Sequence, residues 1–211
     1  MKNKKITIVD YEVGNILSIK NAITYLGEKA TLTRNDEELN KSTHIILPGV
    51  GAFPSAMNKL KKYNLHKIIQ KAADRKIFIL GICLGMQLLF QKSTEIQISK
   101  GLNLIEGEVD LLSKNCKSNF LKLPHIGWNY IIENKKNNNP ILDTITKKDF
   151  FYFVHSYGLL KSNNKLITSY SKYEEILFPS VVQYKNIFGC QFHPEKSANS
   201  GLKILKNFIS L

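Results

Sequence analysis

Apolar residues in the first 90 positions follow two alternating rhythms. Short runs at residues 6–10, 30–33, 44–47 and 77–80 read as strands, several of them closed by Gly, Pro or an acid. Between them the spacing is helical. Ile16, Ile19, Ile23 and Leu26 recur at three- and four-residue steps, which predicts a helix over residues 14–26 with Gly27 as its C-cap. Residues 56–75 are expected to be helical with a break near Asn64, and residues 84–90 to start another helix. Strands that alternate with helices pair in parallel and carry helices on both faces of their sheet.

After Phe90 the rhythm changes. Short alternating runs at residues 108–112, 151–157 and 165–170, joined by polar loops, predict antiparallel strands. Residues 181–184 and 187–191 read as a hairpin around Lys185-Asn186. A last helix is expected over residues 202–208, with Leu202, Leu205 and Ile209 on one face. The fold class is therefore α/β: an open, largely parallel central sheet with helices on both faces and an antiparallel extension. One domain over residues 1–211 is the simplest division.

Composition narrows the function classes. Hydrophobic residues make up 43% of the chain and charged residues 22%, ordinary for a folded protein. The N-terminal run Met1-Lys2-Asn3-Lys4-Lys5 is basic, and the apolar stretch after it is too short for a signal-peptide core. No apolar run approaches the ~20 residues a membrane span needs, so a cytoplasmic protein is expected. The three cysteines, Cys83, Cys116 and Cys190, are odd in number and widely spaced, which disfavours both a disulfide framework and a zinc site. The net charge of +13 raises nucleic-acid binding. Most of the basic residues are lysines scattered along the chain, so a solvated surface is the better account.

The densest chemistry lies at Gly81-Ile82-Cys83-Leu84-Gly85-Met86-Gln87, directly behind a strand. A cysteine on a sharp strand-to-helix turn between glycines follows the logic of a nucleophile elbow. The helix N-terminus behind it favours a thiolate. Gln87, four residues on, shares its helical face. Far downstream, Gln191-Phe192-His193-Pro194-Glu195 offers a base, His193, and a carboxylate, Glu195, two residues apart on what reads as extended chain. Cys83, His193 and Glu195 complete a nucleophilic relay. Pro48-Gly49-Val50-Gly51 is a turn by composition, and beside Cys83 its exposed N–H groups suit an oxyanion. The segments after three strand ends, at Asp10-Tyr11, Pro48-Gly49 and Gly81-Ile82-Cys83, are expected to meet in one crevice. Glu12, His125, His155, Tyr152 and Trp128 carry no decisive signal individually. No metal site and no cofactor are expected.

These motifs resemble the class I (triad) glutamine amidotransferases. Further segments, among them Asp10-Tyr11, Gly14-Asn15, Pro48-Gly49-Val50-Gly51-Ala52-Phe53, Pro124-His125-Ile126-Gly127-Trp128-Asn129 and Tyr152-Phe153-Val154-His155-Ser156-Tyr157, are similar to the glutaminase subunits of imidazole glycerol phosphate synthase. The resemblance implies that Cys83 attacks the glutamine side-chain amide, that His193 moves the proton, and that Glu195 orients His193. It implies an oxyanion site at Val50, Gly51 and Leu84, and glutamine binding by Gln87, Glu95, Ser156 and Tyr157. It also implies a heterodimer with a (β/α)8-barrel cyclase that meets Asn15, Trp128, Tyr152 and Lys196 and receives the ammonia for histidine biosynthesis. A paralogous glutaminase feeding another synthase, such as a sugar-amidating one, fits the same residues. A non-catalytic binding protein on this scaffold is disfavoured by the intact triad.

Overall fold

The computed structural model describes residues 4–116 and 121–211. Residues 1–3 of the basic N-terminal run, and residues 117–120 within the stretch read as antiparallel, lie outside them. In chain order the first half runs β1 (Ile6–Val9), α1 (Ile16–Tyr25), β2 (Ala30–Thr33), α2 (Asp36–Asn40), β3 (His44–Leu47), α3 (Phe53–Lys62), α4 (Leu65–Asp74), β4 (Phe78–Ile82) and α5 (Leu84–Leu88). The second half runs β5 (Lys92–Ser93), β6 (Ser99–Lys100), β7 (Glu108–Leu111), β8 (His125–Tyr130), β9 (Ile132–Glu133), β10 (Phe150–His155), β11 (Tyr157–Lys161), β12 (Ile167–Tyr173), β13 (Ile176–Tyr184), β14 (Ile187–Cys190) and α6 (Ala198–Ile209), with short 3-10 turns between.

The main sheet has eight strands in the order β2-β1-β3-β4-β14-β13-β12-β9. Strands β2, β1, β3, β4 and β14 are parallel. The antiparallel extension is β13, β12 and β9. Side chains alternate across the sheet with period two. Ile6, Ile8, Ile46, Leu80 and Ile82 pack with Ile19 and Ile23 of α1 and Ile204 and Phe208 of α6. Val9, Ile45, Leu47 and Ile79 face the other way, into a core with Leu60, Ile69 and Met86 from α3, α4 and α5. Two smaller sheets, β10-β8 and β11-β7-β5-β6, flank the main one.

Element boundaries depart from the periodic reading where backbone geometry overrides it. Helix α1 begins at Ile16, not at residue 14, because Gly14 has φ +112° and turns the chain against Pro48. Its end follows the expected form. The Gly27 N–H bonds to the Thr24 carbonyl and the Glu28 N–H to the Ile23 carbonyl, the two bonds of a Schellman cap. Helix α3 starts three residues early, with Pro54 in its first turn, and Asn64 in the left-handed region (φ 55°) separates it from α4. Strand β4 continues through Gly81 and Ile82, so Gly81 belongs to the strand, not the turn. Residues 151–157 form two strands of different sheets, parted at Ser156. In α6, Leu205 and Ile209 are buried while Leu202 is half-buried.

Candidate active site

The three strand-end segments do converge. A Cβ on Gly14 would lie 2.7 Å from the Pro48 Cβ, and one on Gly49 would lie 2.5 Å from the Gly85 nitrogen. Each contact is close enough to exclude a side chain, so the β1–α1 loop packs directly on the Pro48 ring and the turn after β3 packs backbone to backbone on the start of α5.

Cys83 stands at the joint of β4 and α5 with φ 54° and ψ −112°, a conformation that a non-glycine residue rarely adopts. The surroundings enforce it. The Cys83 N–H donates to the Cys190 carbonyl at 2.8 Å, and the Gln87 N–H returns to the Cys83 carbonyl at 3.2 Å. A Cβ at Gly85 would sit 1.9 Å from the Leu47 oxygen, and one at Gly81 would sit 2.7 Å from the Gly85 oxygen. Helix α5 spans only Leu84–Leu88 instead of reaching Phe90, so the unpaired N–H groups of its first turn matter here more than a long macrodipole.

His193 is held by backbone. Its N–H donates to the Tyr152 carbonyl at 2.9 Å. The Ser197 hydroxyl donates to the His193 carbonyl at 2.6 Å and accepts the Tyr152 N–H at 2.9 Å. Glu195 reaches the ring from a 3-10 turn, Pro194–Lys196, not from extended chain as the i, i+2 spacing predicts. Its Oε1 lies 2.8 Å from His193 Nδ1, with the two side chains 3% and 1% exposed. Burial alone would lower the pKa of His193, but hydrogen bonding and charge from Cys83 and Glu195 outweigh it and hold the ring at about 10. The buried Nε2 forms no full hydrogen bond, yet Cys83 is near enough to favour the charged ring.

A cavity of about 310 Å³ opens in front of these groups. Cys83, Leu84, His193, Val50 and Gly51 are among its lining residues, as are Gln87, Glu95, Ser156 and Tyr157. Glu195 lies behind His193 and does not face the cavity. The Glu95 Oε2 accepts the Phe53 N–H at 2.7 Å, and burial raises the pKa of this carboxyl. Gln87 donates from Nε2 to the Tyr157 carbonyl at 2.9 Å and to Gln191 Oε1 at 3.1 Å.

Two groups had no reading from sequence. The Gln191 Nε2 lies 3.7 Å from the Cys83 sulfur. His155 also lines the cavity, and its Nδ1 is 2.8 Å from the Tyr157 carbonyl while its Nε2 is 3.3 Å from His125 Nδ1. Burial pushes the pKa of His155 down to about 3 and that of His125 to about 4, so both rings stay neutral near pH 7. Gln191 sits beside the His-Pro-Glu motif, which was the available signal for it.

Asn15, Trp128, Tyr152 and Lys196 do not line the cavity. Trp128 is 55% exposed and meets Tyr152 edge-on at 6.1 Å. Across the β8–β10 register, Tyr130 pairs with Phe150, Trp128 with Tyr152 and Ile126 with Val154. One outer face of this ribbon is therefore apolar and exposed at Ile126, Trp128, Tyr130 and Phe150. Lys196 is exposed, and Asn15 is half-buried at the start of α1. Among the described residues no cluster of three His, Cys, Asp or Glu side chains suits a metal ion, and no helix is long and apolar enough to cross a membrane.

Comparison with known proteins places the chain among relatives. The family profile described as glutamine amidotransferase class-I matches residues 7–211. The chain is 46% identical over 206 residues to the imidazole glycerol phosphate synthase subunit HisH of Lactococcus lactis, covering 98% of each chain. It is 43% identical to the subunit HisH 2 of Methanococcus maripaludis, covering 97% of this chain and 98% of that one. In fold it is similar to a solved glutamine amidotransferase, with a TM-score of 0.74 at 16% identity over 97% of both chains. The structure of PurLQS from Thermotoga maritima matches with a TM-score of 0.73 at 21% identity over 98% of both chains.

Proposed function

The chain belongs to the class I glutamine amidotransferases, and from that membership we propose that it is the glutaminase subunit of an imidazole glycerol phosphate synthase. It hydrolyses glutamine to glutamate and passes the ammonia to a cyclase subunit in histidine biosynthesis. The observation that carries the activity is Cys83 on its left-handed elbow, facing a cavity that it shares with a His193 tied to Glu195 at 2.8 Å.

The Cys83 sulfur, as thiolate, attacks the carbonyl carbon of the glutamine side-chain amide. Charge moves to the amide oxygen, to which the Leu84 N–H and the Val50–Gly51 backbone N–H groups donate. His193, as imidazolium, gives its Nε2 proton to the leaving nitrogen, the C–N bond breaks and ammonia departs. This leaves a glutamyl thioester and a neutral imidazole. Water then attacks the thioester while His193 takes its proton. Glutamate leaves, and the thiolate–imidazolium pair is restored. Glu195 holds the Nδ1 proton throughout, so Nε2 is the nitrogen presented to Cys83. Gln87, Glu95 and the Ser156–Tyr157 backbone hold the amino acid end of glutamine.

Ammonia released into water becomes ammonium and is lost as a nucleophile, so delivery needs a docked partner. The exposed aromatic ribbon with Trp128 and Tyr152, together with Asn15 and Lys196, supports docking of a (β/α)8-barrel cyclase as a heterodimer. The Tyr152 backbone bonds both ends of the His193–Ser197 turn, which supports control of the triad from that surface. The test is glutamate release from glutamine, by the chain alone and with a barrel cyclase loaded with its ribotide ligand. Strong stimulation by the loaded partner is expected. A chain whose Cys83 reacts with a glutamine analogue but is not stimulated belongs to another synthase.

A further inference from the structure

We propose that Gln191 is a further catalytic residue, whose side-chain amide donates to the Cys83 sulfur and holds it charged and aimed for attack. This deepens the glutaminase reading and rests on it. Gln191 is fully buried on the segment that follows β14, and a buried amide must place all its polar atoms.

The direction of donation follows from one fixed end. The Tyr157 carbonyl can only accept, so Gln87 must turn its NH2 toward it, at 2.9 Å. The same NH2 then points at Gln191, 3.1 Å away, and requires an acceptor there, the Oε1. That leaves the Gln191 NH2 facing the sulfur at 3.7 Å, within range for an N–H donating to sulfur. Flipping Gln191 would set two NH2 groups against each other. The amide orientation is thus set from the Tyr157 carbonyl, to which His155 Nδ1 also donates at 2.8 Å.

A sulfur that receives an N–H is favoured as the thiolate, because a charged acceptor strengthens the bond. The titratable groups packed near it are His193, Tyr11 and Cys190, with Glu195 beyond His193; Glu95, whose pKa burial raises, and His155, kept neutral by burial, line the same cavity. Burial raises the pKa of both Tyr11 and Cys190 and keeps them neutral, and the Tyr11 hydroxyl is committed to the Pro48 carbonyl. Gln191 is therefore the side chain that hydrogen-bonds the sulfur, while His193 acts on it by proximity and charge. His193 gives its proton away when the thioester forms, whereas Gln191 keeps its hydrogens, so Gln191 holds the sulfur in position while it carries the acyl group.

The test is alkylation of the full chain by iodoacetamide across a pH series, read by mass spectrometry at the Cys83 peptide so that Cys116 and Cys190 are scored separately. Gln191→Glu keeps the shape but sets an acceptor carboxylate against the sulfur, and Gln191→Met keeps the bulk without a donor. Both variants are expected to react at Cys83 about tenfold more slowly at neutral pH, with profiles displaced to higher pH. Folded variants that alkylate Cys83 at the parental rate throughout overturn the inference, and Gln191→Met decides alone if Gln191→Glu does not fold. A parent chain whose Cys83 resists a chloroketone analogue of glutamine overturns the glutaminase reading as well.

Discussion

Tyr11 and Pro48 are joined by a hydrogen bond of 2.5 Å, from the phenol to the carbonyl that opens the turn proposed to hold the oxyanion. Tyr11 is completely buried, and burial raises its pKa out of reach, so the donor is present at every working pH. The far end of the same turn is tied by the Phe53 N–H to Glu95. The turn is therefore fixed on one side by the β1–α1 loop and on the other by a proposed substrate ligand. Tyr11→Phe removes the first tie and strands a buried carbonyl. The expected result is a loss of about 1–3 kcal/mol of stability in urea denaturation, with a lower kcat in the complex and little change in glutamine KM.

Cys83→Ala separates the two halves of the proposed reaction. In a complex with the cyclase, glutamine-dependent product formation should fall to background, while formation from added ammonium salts should stay within about twofold of the parent, because the fold and the docking face are untouched. Loss of both activities would contradict the division of labour between the subunits.

Acid should destabilise the chain through a histidine remote from the site. His44 on β3 is 3% exposed, stacks on Phe78 and has an unpartnered Nε2. Burial first, and then the charge of Lys4, depress its pKa to about 4. The unfolded chain takes up a proton below about pH 6.5, where folded His44 refuses it. The stability contributed is thus complete above that pH and is lost as pH falls toward 4, by about 1.4 kcal/mol per pH unit for one such group. His125 and His155 act with the same sign. His44→Phe should flatten the acid limb of stability against pH, measured by denaturant melts at neutral and acid pH, and leave glutaminase activity unchanged.

Trp128→Ala tests the proposed docking face. Over half of this side chain is exposed, so the isolated chain should keep its melting temperature. Affinity for the proposed barrel partner should drop by about 2 kcal/mol, near thirtyfold in Kd by titration calorimetry, as for a central aromatic anchor. An unchanged Kd would move the interface elsewhere.

The parallel half of the fold was legible because each strand there is a short apolar run between helical repeats, and both patterns are local. Helix α2 escaped because only Leu39 is apolar in it, although Asn35 caps it by accepting the Glu38 N–H. The second half resisted for a different reason. Residues 151–157 read as one strand, and nothing local says that Ser156 is where the chain leaves one sheet for another. Of the candidate site, the residues on marked backbone were visible: Cys83 between glycines, and His193 and Glu195 around Pro194. Gln191 and the His125–His155 pair were not, since each acquires its role from a residue 30 to 108 positions away. Charge patterning was equally silent on the cluster in which Glu12 meets Arg34, Lys59 and the Tyr63 hydroxyl.

The backbone at Cys83 has a consequence for how such a chain ages. A φ of 54° with a ψ of −112° costs a side-chain-bearing residue about 1–3 kcal/mol, and glycine far less. Cys83→Gly should therefore melt higher than Cys83→Ala, although both lack the sulfur. Thermodynamic selection acting alone would erase the proposed nucleophile from position 83, and a continuing demand for its proposed chemistry is what would keep a cysteine there. In a lineage freed from that demand, this position should be among the first to drift, and toward glycine, while the buried Gly81 and Gly85 that shape the turn stay in place. Glycine at position 83 in an otherwise intact descendant would be the mark of a scaffold kept for its surface after its reaction was lost.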